Sequence, residues 1–138
     1  MIERTAACAC GQLRVTCVGE PERVSLCTCT ECQKRTGSAY GVAAYFLRER
    51  IKAVEGTSAG FTRISDAGRW LTFRFCPECG TTVYWEAELL TETVGIALGT
   101  FADPSFAQPE AVVWAEHKAD WVPLPEGIPL YPKNRPVS

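Results

Sequence analysis

Seven of the eight cysteines fall into three short groups, and this grouping constrains the fold more than any other feature of the chain. The groups are CAC (Cys8 and Cys10), CTCTEC (Cys27, Cys29 and Cys32) and CPECG (Cys76 and Cys79). Such spacing is typical of metal ligands, because a tight turn aims neighbouring sulfurs at one point. The chain must therefore fold so that distant segments bring their thiols together.

A disulfide framework is the alternative interpretation of eight cysteines, and their even number favours it. However, one residue separates Cys8 from Cys10 and Cys27 from Cys29, so a bridge within either pair would be strained. The first residues, MIERTAACACG, lack the basic and then apolar pattern of a secretion signal. The sequence therefore favours metal binding in a reducing compartment, and we predict a cytoplasmic location.

The first and third groups together predict a closed structural zinc site. A Cys-x2-Cys turn followed by Gly80 supplies two of the four ligands that structural zinc requires, so it needs a second pair. In an extended segment, residues two apart point to the same side, so the thiols of Cys8 and Cys10 can both face one ion. The predicted ligands are Cys8, Cys10, Cys76 and Cys79. Such a site contributes on the order of 10 kcal/mol of apparent binding free energy to folding.

The second group predicts a different kind of site. Cys29 and Cys32 lie one helical turn apart, and Cys27 ends the preceding strand, so three sulfurs can converge on one ion. Zinc with three protein ligands and an open fourth position is typical of catalytic sites. A second structural site closed by Cys17 or His117 is the alternative. The strand parity of Cys17 predicts core packing instead, and a lone histidine is usually not a ligand.

Hydrophobic residues mostly recur with a period of two, which predicts a mainly β protein of short antiparallel strands with little helix. The predicted strands are 12–18, 23–28, 40–46, 51–55, 59–64, 70–75, 82–86, 93–98 and 110–116. Residues 30–36 predict a short helix that ends at Gly37, and residues 103–107 a single helical turn. The proline-rich segment 122–138 predicts an extended strap, and the predicted anchors of this region are Trp121, Leu124, Ile128 and Tyr131. A length of 138 residues predicts one domain over residues 1–138.

Charge and hydropathy exclude some partners. The formal net charge of -2 argues against a nucleic acid or an anionic membrane, since either would require a basic face. No apolar run approaches the ~20 residues of a membrane span. We therefore expect neither a nucleic-acid nor a membrane partner, and the sequence leaves the oligomeric state open.

Four segments resemble, in the same order, the motifs of the glutathione-dependent formaldehyde-activating family, which includes CENP-V. They are CACG, CTCTECQKRTG, FCPECGTTVYW and LGTFADPS. The resemblance implies a β-tent fold stapled by two zinc ions, one structural and one catalytic, with the ligand split given above. It implies a carbon–sulfur lyase of the S-(hydroxymethyl)glutathione synthase type. The implied partners are a glutathione-like thiol and a small aldehyde such as formaldehyde. Thr28 and Gln33 stand where many members have His and Arg, which leaves the substrate open.

A tripeptide thiol with carboxylates would require cationic contacts and pocket walls. The candidate cations are Lys34, Arg35, Arg48, Arg50 and Arg69, unless they are ordinary solvated charges. The candidate walls are Tyr40, Tyr45, Phe46 and Trp85, although aromatic residues on strands are more often core. The alternative function is a non-catalytic, zinc-stabilised β-tent binding module. A thiol redox or zinc-store protein is a third interpretation.

Overall fold

The structure, a computed structural model, describes residues 1–135 and confirms a mainly β protein with little helix. Its regular elements are β1 (Glu3–Ala7), β2 (Arg14–Val18), β3 (Arg23–Cys27), α1 (Thr30–Thr36), β4 (Gly41–Leu47), β5 (Ile51–Glu55), β6 (Ala59–Ile64), β7 (Trp70–Phe75), β8 (Thr82–Ala87), β9 (Thr93–Ala97) and β10 (Ala111–Val113). Short 3-10 helices cover Arg48–Arg50, Leu98–Phe101 and Ala115–His117. None of the helices in this part of the chain is long and apolar enough to cross a bilayer.

The chain divides into two compact units. The first unit comprises Met1–Glu22 and Ala44–Asp103, and the second comprises Arg23–Ala43 and the chain from Pro104 onward. The single domain over residues 1–138 stays a prediction.

The first unit is built from antiparallel strands. One sheet has the order β1-β2-β5, and a second set of strands has the order β9-β8-β7-β6. Along β2, Val15 and Cys17 are buried while Arg14 is exposed, as the alternating pattern predicted. Phe46 and Trp85, two of the candidate pocket walls, are buried in the core of this unit. Strand β1 was not predicted, because its sequence ERTAA shows little alternation of apolar and polar residues.

The second unit contains the parallel pair β3 and β10, in which Val113 lies opposite Cys27. The predicted strand 110–116 is wrong beyond Val113, because the backbone of Trp114 turns into the left-handed region with φ of 57°. The chain then forms the 3-10 helix Ala115–His117. These two turns place the carbonyls of residues 113–117 beside the end of β3, where the second cysteine group lies.

The proline-rich segment follows β10 as a strap. Tyr131 N–H donates to the Val112 carbonyl at 2.8 Å, and Val112 N–H donates to the Pro129 carbonyl at 3.0 Å. Trp121 is 74% exposed, so its prediction as an anchor is wrong, and the neighbouring Val122 is buried instead. Residues 136–138 of the predicted strap lie outside the described residues. The helical turn predicted over 103–107 is also wrong, because residues 104–105 form a turn without a helix.

Candidate metal centres

The four-cysteine cluster (Cys8, Cys10, Cys76 and Cys79) lies within the first unit. Its first pair lies in a tight turn after β1, where Gly11 N–H donates to the Cys8 carbonyl at 2.9 Å. The extended segment predicted for this pair is therefore wrong, although the turn still brings the two Sγ atoms within 3.6 Å of each other. The second pair lies between β7 and β8, where Gly80 N–H donates to the Cys76 carbonyl at 2.8 Å. Gly80 has φ of 80°, a conformation that favours glycine.

The geometry of the four-cysteine cluster fits a tetrahedral ion. All four Sγ atoms lie within 4.8 Å of one another, and Sγ of Cys10 is 3.6 Å from Sγ of Cys76. Zn–S bonds of ~2.3 Å in a tetrahedron place sulfurs roughly 3.8 Å apart. Two thiols of the cluster are buried, those of Cys8 and Cys76, and the other two are exposed. The four side chains therefore form a donor set that can hold a metal ion.

Hydrogen bonds around this cluster favour the thiolate at Cys76 and Cys79. At Cys10 a backbone hydrogen bond from Gln12 lowers the pKa, but desolvation and hydrogen bonds with the neighbouring thiols outweigh it and raise the pKa to about 12. Side-chain and backbone hydrogen bonds from Thr81 lower the pKa of Cys79 to about 5. Leu13 N–H donates to Sγ of Cys8 at 3.2 Å, and Gln12 Nε2 donates to Sγ of Cys76 at 3.0 Å. No sequence signal could have revealed Gln12, because its partner lies 64 residues away along the chain.

The three-cysteine cluster (Cys27, Cys29 and Cys32) lies within the second unit at the junction of β3 and α1. Cys27 is the last residue of β3, and Cys29 is the N-cap of α1. The Cys32 N–H donates to Sγ of Cys29 at 3.3 Å, so a thiol occupies the usual place of a Ser or Asp cap. The helix ends where predicted, at Gly37 in the left-handed conformation. The three half-buried sulfurs lie within 4.8 Å of one another.

Neither candidate for a fourth ligand joins this cluster. Among residues 1–135, no further His, Cys, Asp or Glu side chain places a ligand atom within 4.8 Å of all three sulfurs. Cys17 is fully buried on β2, and burial raises the pKa of its thiol to about 12. The His117 ring stacks on Trp114 with 6.2 Å between ring centroids. As the sequence favoured, the buried Cys17 packs in a core, while His117 is not grouped with the three thiols.

The model of the glutathione-dependent formaldehyde-activating enzyme family matches residues 3–117. The chain belongs to this family. No curated protein matches the chain. A crystal structure of a Rhodobacter sphaeroides protein is similar over 91% of this chain and 98% of that one, with a TM-score of 0.54 and 16% identity. At that identity the likeness shows the fold alone.

Within this family member, the three thiols of the three-cysteine cluster differ in their pKa values. The thiols of Cys27 and Cys32 donate hydrogen bonds to Cys29 and lower its pKa to about 2. Hydrogen bonds with Cys29 and Cys32, followed by burial, raise the pKa of Cys27 well above its usual range. The largest single effect on the pKa of Cys32 is its hydrogen bond with Cys27, which lowers it. The hydrogen bond with Cys29, burial and the charge on Cys29 together outweigh that effect, so the net pKa of Cys32 is raised. These opposite shifts favour the thiolate at Cys29 and the protonated thiol at Cys27 and Cys32.

This charge state predicts a steep pH dependence of metal binding at the three-cysteine cluster. All three ligands must be thiolates, so binding must release the two protons held by Cys27 and Cys32. Affinity for Zn²⁺ should therefore rise by roughly two powers of ten per pH unit below their raised pKa values, and fall as the pH is lowered. Competition with a chromophoric chelator at pH 6.5 and 7.5 measures this slope. A slope of zero would show that the cluster is already fully ionised.

One of the five candidate cations lies beside the three-cysteine cluster. The positive charge of Arg35 opposes the rise in the pKa of Cys32, and its Nη2 lies 2.6 Å from the position that a Cβ at Gly41 would take. Lys34 forms an ion pair with Glu31 at 3.9 Å on the solvent side of α1. The other candidates contact partners in the first unit: Arg48 with Glu86, Arg69 with Glu88, and Arg50 with Sδ of Met1. Tyr45 and Trp85 line a shallow hollow of the first unit.

Proposed function

We propose that this family member is a zinc-dependent carbon–sulfur lyase of the S-(hydroxymethyl)glutathione synthase type, with the three-cysteine cluster as its catalytic centre. Its substrates are a glutathione-like thiol and a small aldehyde such as formaldehyde. The observation that carries the proposal is the convergence of three sulfurs, from a strand end, a helix cap and a helical turn, without a fourth described ligand. The family's description supports the choice of reaction.

The two clusters divide the metal roles in this proposal. Soft, all-sulfur donor sets suit Zn²⁺. The four thiols of the four-cysteine cluster complete a tetrahedral shell, so an ion there stabilises the fold. The three thiols of the other cluster leave one position for a substrate. When bound there, Zn²⁺ supplies a Lewis acid that stabilises anionic sulfur or oxygen at that position.

The reaction is an addition with a simple balance of atoms. A bond forms between the thiol sulfur and the aldehyde carbon, the carbonyl π bond breaks, and the thiol proton ends on the former carbonyl oxygen. The product is a hemithioacetal, and the reverse steps release the aldehyde. No electron carrier is required, which agrees with the redox-inert chemistry of zinc.

The side chains near the three-cysteine cluster can bind and orient such a thiol. The half-buried position of the sulfurs leaves them open to a ligand from solvent. The guanidinium of Arg35 is a planar donor suited to the carboxylate of a tripeptide. It lies close enough to Cys32 to influence that thiol's charge, and Gly41 leaves room for it. We therefore assign Arg35 to substrate binding in this proposal, and Cys27, Cys29 and Cys32 to the metal.

Exchange NMR on a mixture of glutathione and formaldehyde tests the function. We expect the zinc-loaded protein to accelerate interconversion of free and hydroxymethylated glutathione well above the uncatalysed rate. The zinc-free chain should not, because its three thiols bind no Lewis acid. Cys17→Ala is the matched control, since this thiol is buried outside both clusters. An unchanged rate in zinc-replete protein would contradict the proposal and favour a non-catalytic binding module.

A further inference from the structure

Thr28, the residue between the first two thiols of the three-cysteine cluster, is fully buried. Its backbone N–H donates to the Val113 carbonyl at 3.2 Å, and its Oγ1 donates to the Trp114 carbonyl at 2.8 Å. The first bond reaches the last residue of β10, and the second reaches the residue that follows it. A buried hydroxyl with a partner is costly to remove, because its acceptor is then left without a donor.

Gln33, the residue after the third thiol, makes a complementary pair of bonds. Its Nε2 donates to the Thr28 carbonyl at 2.8 Å and to the His117 carbonyl at 3.2 Å. Its backbone N–H donates to the Cys29 carbonyl at 3.0 Å. One residue of α1 therefore holds the peptide groups on both sides of Cys29 and links them to residue 117.

The acceptor segment is itself held in a defined shape. Trp114 has a left-handed backbone, which costs a non-glycine residue on the order of 1 kcal/mol and persists only where surrounding contacts impose it. Its N–H donates to the Lys133 carbonyl at 3.0 Å, and its Nε1 donates to Oδ1 of Asn134 at 2.9 Å. The strap thus fixes the carbonyl that receives the Thr28 hydroxyl, although residues 133 and 134 lie beyond the family match.

We infer that Thr28 and Gln33 are positioning residues that fasten the loop of the three-cysteine cluster to residues 113–117 and so set metal retention and geometry at this cluster. The inference rests on the proposed function, in that it takes this cluster to hold a metal. Side chains that fix the groups around metal ligands typically change metal affinity 10–100-fold when they are removed. The four-cysteine cluster has no bond to either residue among those the structure describes, so it serves as an internal control.

Matched substitutions separate the bond made by the Thr28 hydroxyl from the bonds made by the Gln33 side chain. Thr28→Val keeps the shape but removes the hydroxyl, and Thr28→Ser keeps the hydroxyl. Gln33→Met keeps the length but removes both side-chain donors. Gln108→Met, at an exposed glutamine of the same unit, and Thr62→Val, at an exposed threonine of the other unit, control for the chemistry of each change.

Two readouts on the full chain report the cluster directly. Zn²⁺ release to a chromophoric chelator should be roughly 10–100-fold faster from the three-cysteine cluster in Thr28→Val and Gln33→Met, and unchanged from the four-cysteine cluster. Co²⁺ loaded at the same cluster should show shifted visible absorption bands in both variants. Thr28→Ser should restore both readouts, and the double variant should fall short of the product of the single effects because the two residues share the Thr28 peptide.

Failure of this inference is distinct from failure of the proposed function. Release rates and Co²⁺ spectra equal to those of the unaltered chain would overturn the inference while leaving the cluster a metal site. If the unaltered chain takes up metal only at the four-cysteine cluster, the proposed function fails. If the three-cysteine cluster takes up no metal, alkylation of Cys29 by iodoacetamide tests the inference instead. The rate should be several-fold faster in Gln33→Met and Thr28→Val than in the control variants if the loop is fastened as inferred. Equal alkylation rates would overturn it.

Discussion

The Cys76→Ser chain should lose cooperative folding at 25 °C. Cys76 is fully buried, its Sγ accepts a hydrogen bond from Gln12 Nε2, and it lies 3.6 Å from Sγ of Cys10. Structural zinc contributes roughly 10–16 kcal/mol of apparent binding free energy, which matches or exceeds the ~5–15 kcal/mol stability of a typical domain. Loss of one of the four thiolates should therefore leave the first unit without a stable fold. Urea unfolding followed by circular dichroism measures this.

Cys17→Ala provides the comparison for Cys76→Ser. Cys17 is equally buried but belongs to neither cluster, so its replacement removes only one packed atom and should cost roughly 1 kcal/mol. Similar unfolding midpoints for the two variants would show that the four-cysteine cluster does not stabilise the fold through a metal.

The Cys29→Ser chain should keep its fold and lose its catalysis. A serine hydroxyl at this position can accept the same hydrogen bond from the Cys32 N–H, and serine is a favoured N-cap, so α1 should still form. A hydroxyl is a poor zinc ligand beside two thiols, so the zinc content should fall from about two ions per chain to about one. Exchange between free and hydroxymethylated glutathione should fall by at least about 100-fold, to near the uncatalysed rate.

The opposite responses of the two serine variants separate the two clusters. Elemental analysis and unfolding midpoints on both variants complete this comparison. If Cys29→Ser kept two zinc ions and full activity, the three-cysteine cluster could not be the catalytic centre. If it unfolded as Cys76→Ser should, the cluster would be a second structural site.

The thiol clusters and most strands could be predicted because their signals are local. Strands 51–55, 59–64 and 70–75 are confirmed to the residue, since turn-forming residues bound them: Gly56 follows the first, Ser65 follows the second, and the turn 66–68 precedes the third. The helix 30–36 is confirmed because Gly37 provides its left-handed stop. The cysteine groupings follow from ligand counting, which requires only that turns aim neighbouring sulfurs at one point.

Other features could not be predicted because they depend on contacts between distant residues. Strand β10 ends early because the strap holds Trp114 in a left-handed conformation, and nothing in EAVVWAE signals this. Cys8 and Cys10 lie in a turn closed by Gly11, whereas the sequence predicted an extended segment. The bond from the Thr28 hydroxyl to Trp114 joins residues 86 apart. Propensity and periodicity describe neighbours in sequence, so they carry no information on such pairs.

In the proposed function, ligand number alone separates two roles for one metal. Both offer only thiols, and both hold their sulfurs within 4.8 Å of one another. Four thiols saturate a tetrahedral ion, whereas three leave a position for exchange. The surroundings differ accordingly: the four-cysteine cluster ties a turn after β1 to the turn between β7 and β8, and the three-cysteine cluster lies half-buried at the start of a short helix.

The most direct test of the three-cysteine cluster as catalytic centre is to measure exchange between glutathione and its formaldehyde adduct while zinc is added back. The starting sample is prepared with one zinc ion per chain, which the account assigns to the four-cysteine cluster. We predict that the exchange rate rises in proportion to occupancy of the three-cysteine cluster and levels off at about two ions per chain. A rate that is the same with one ion as with two would contradict the account.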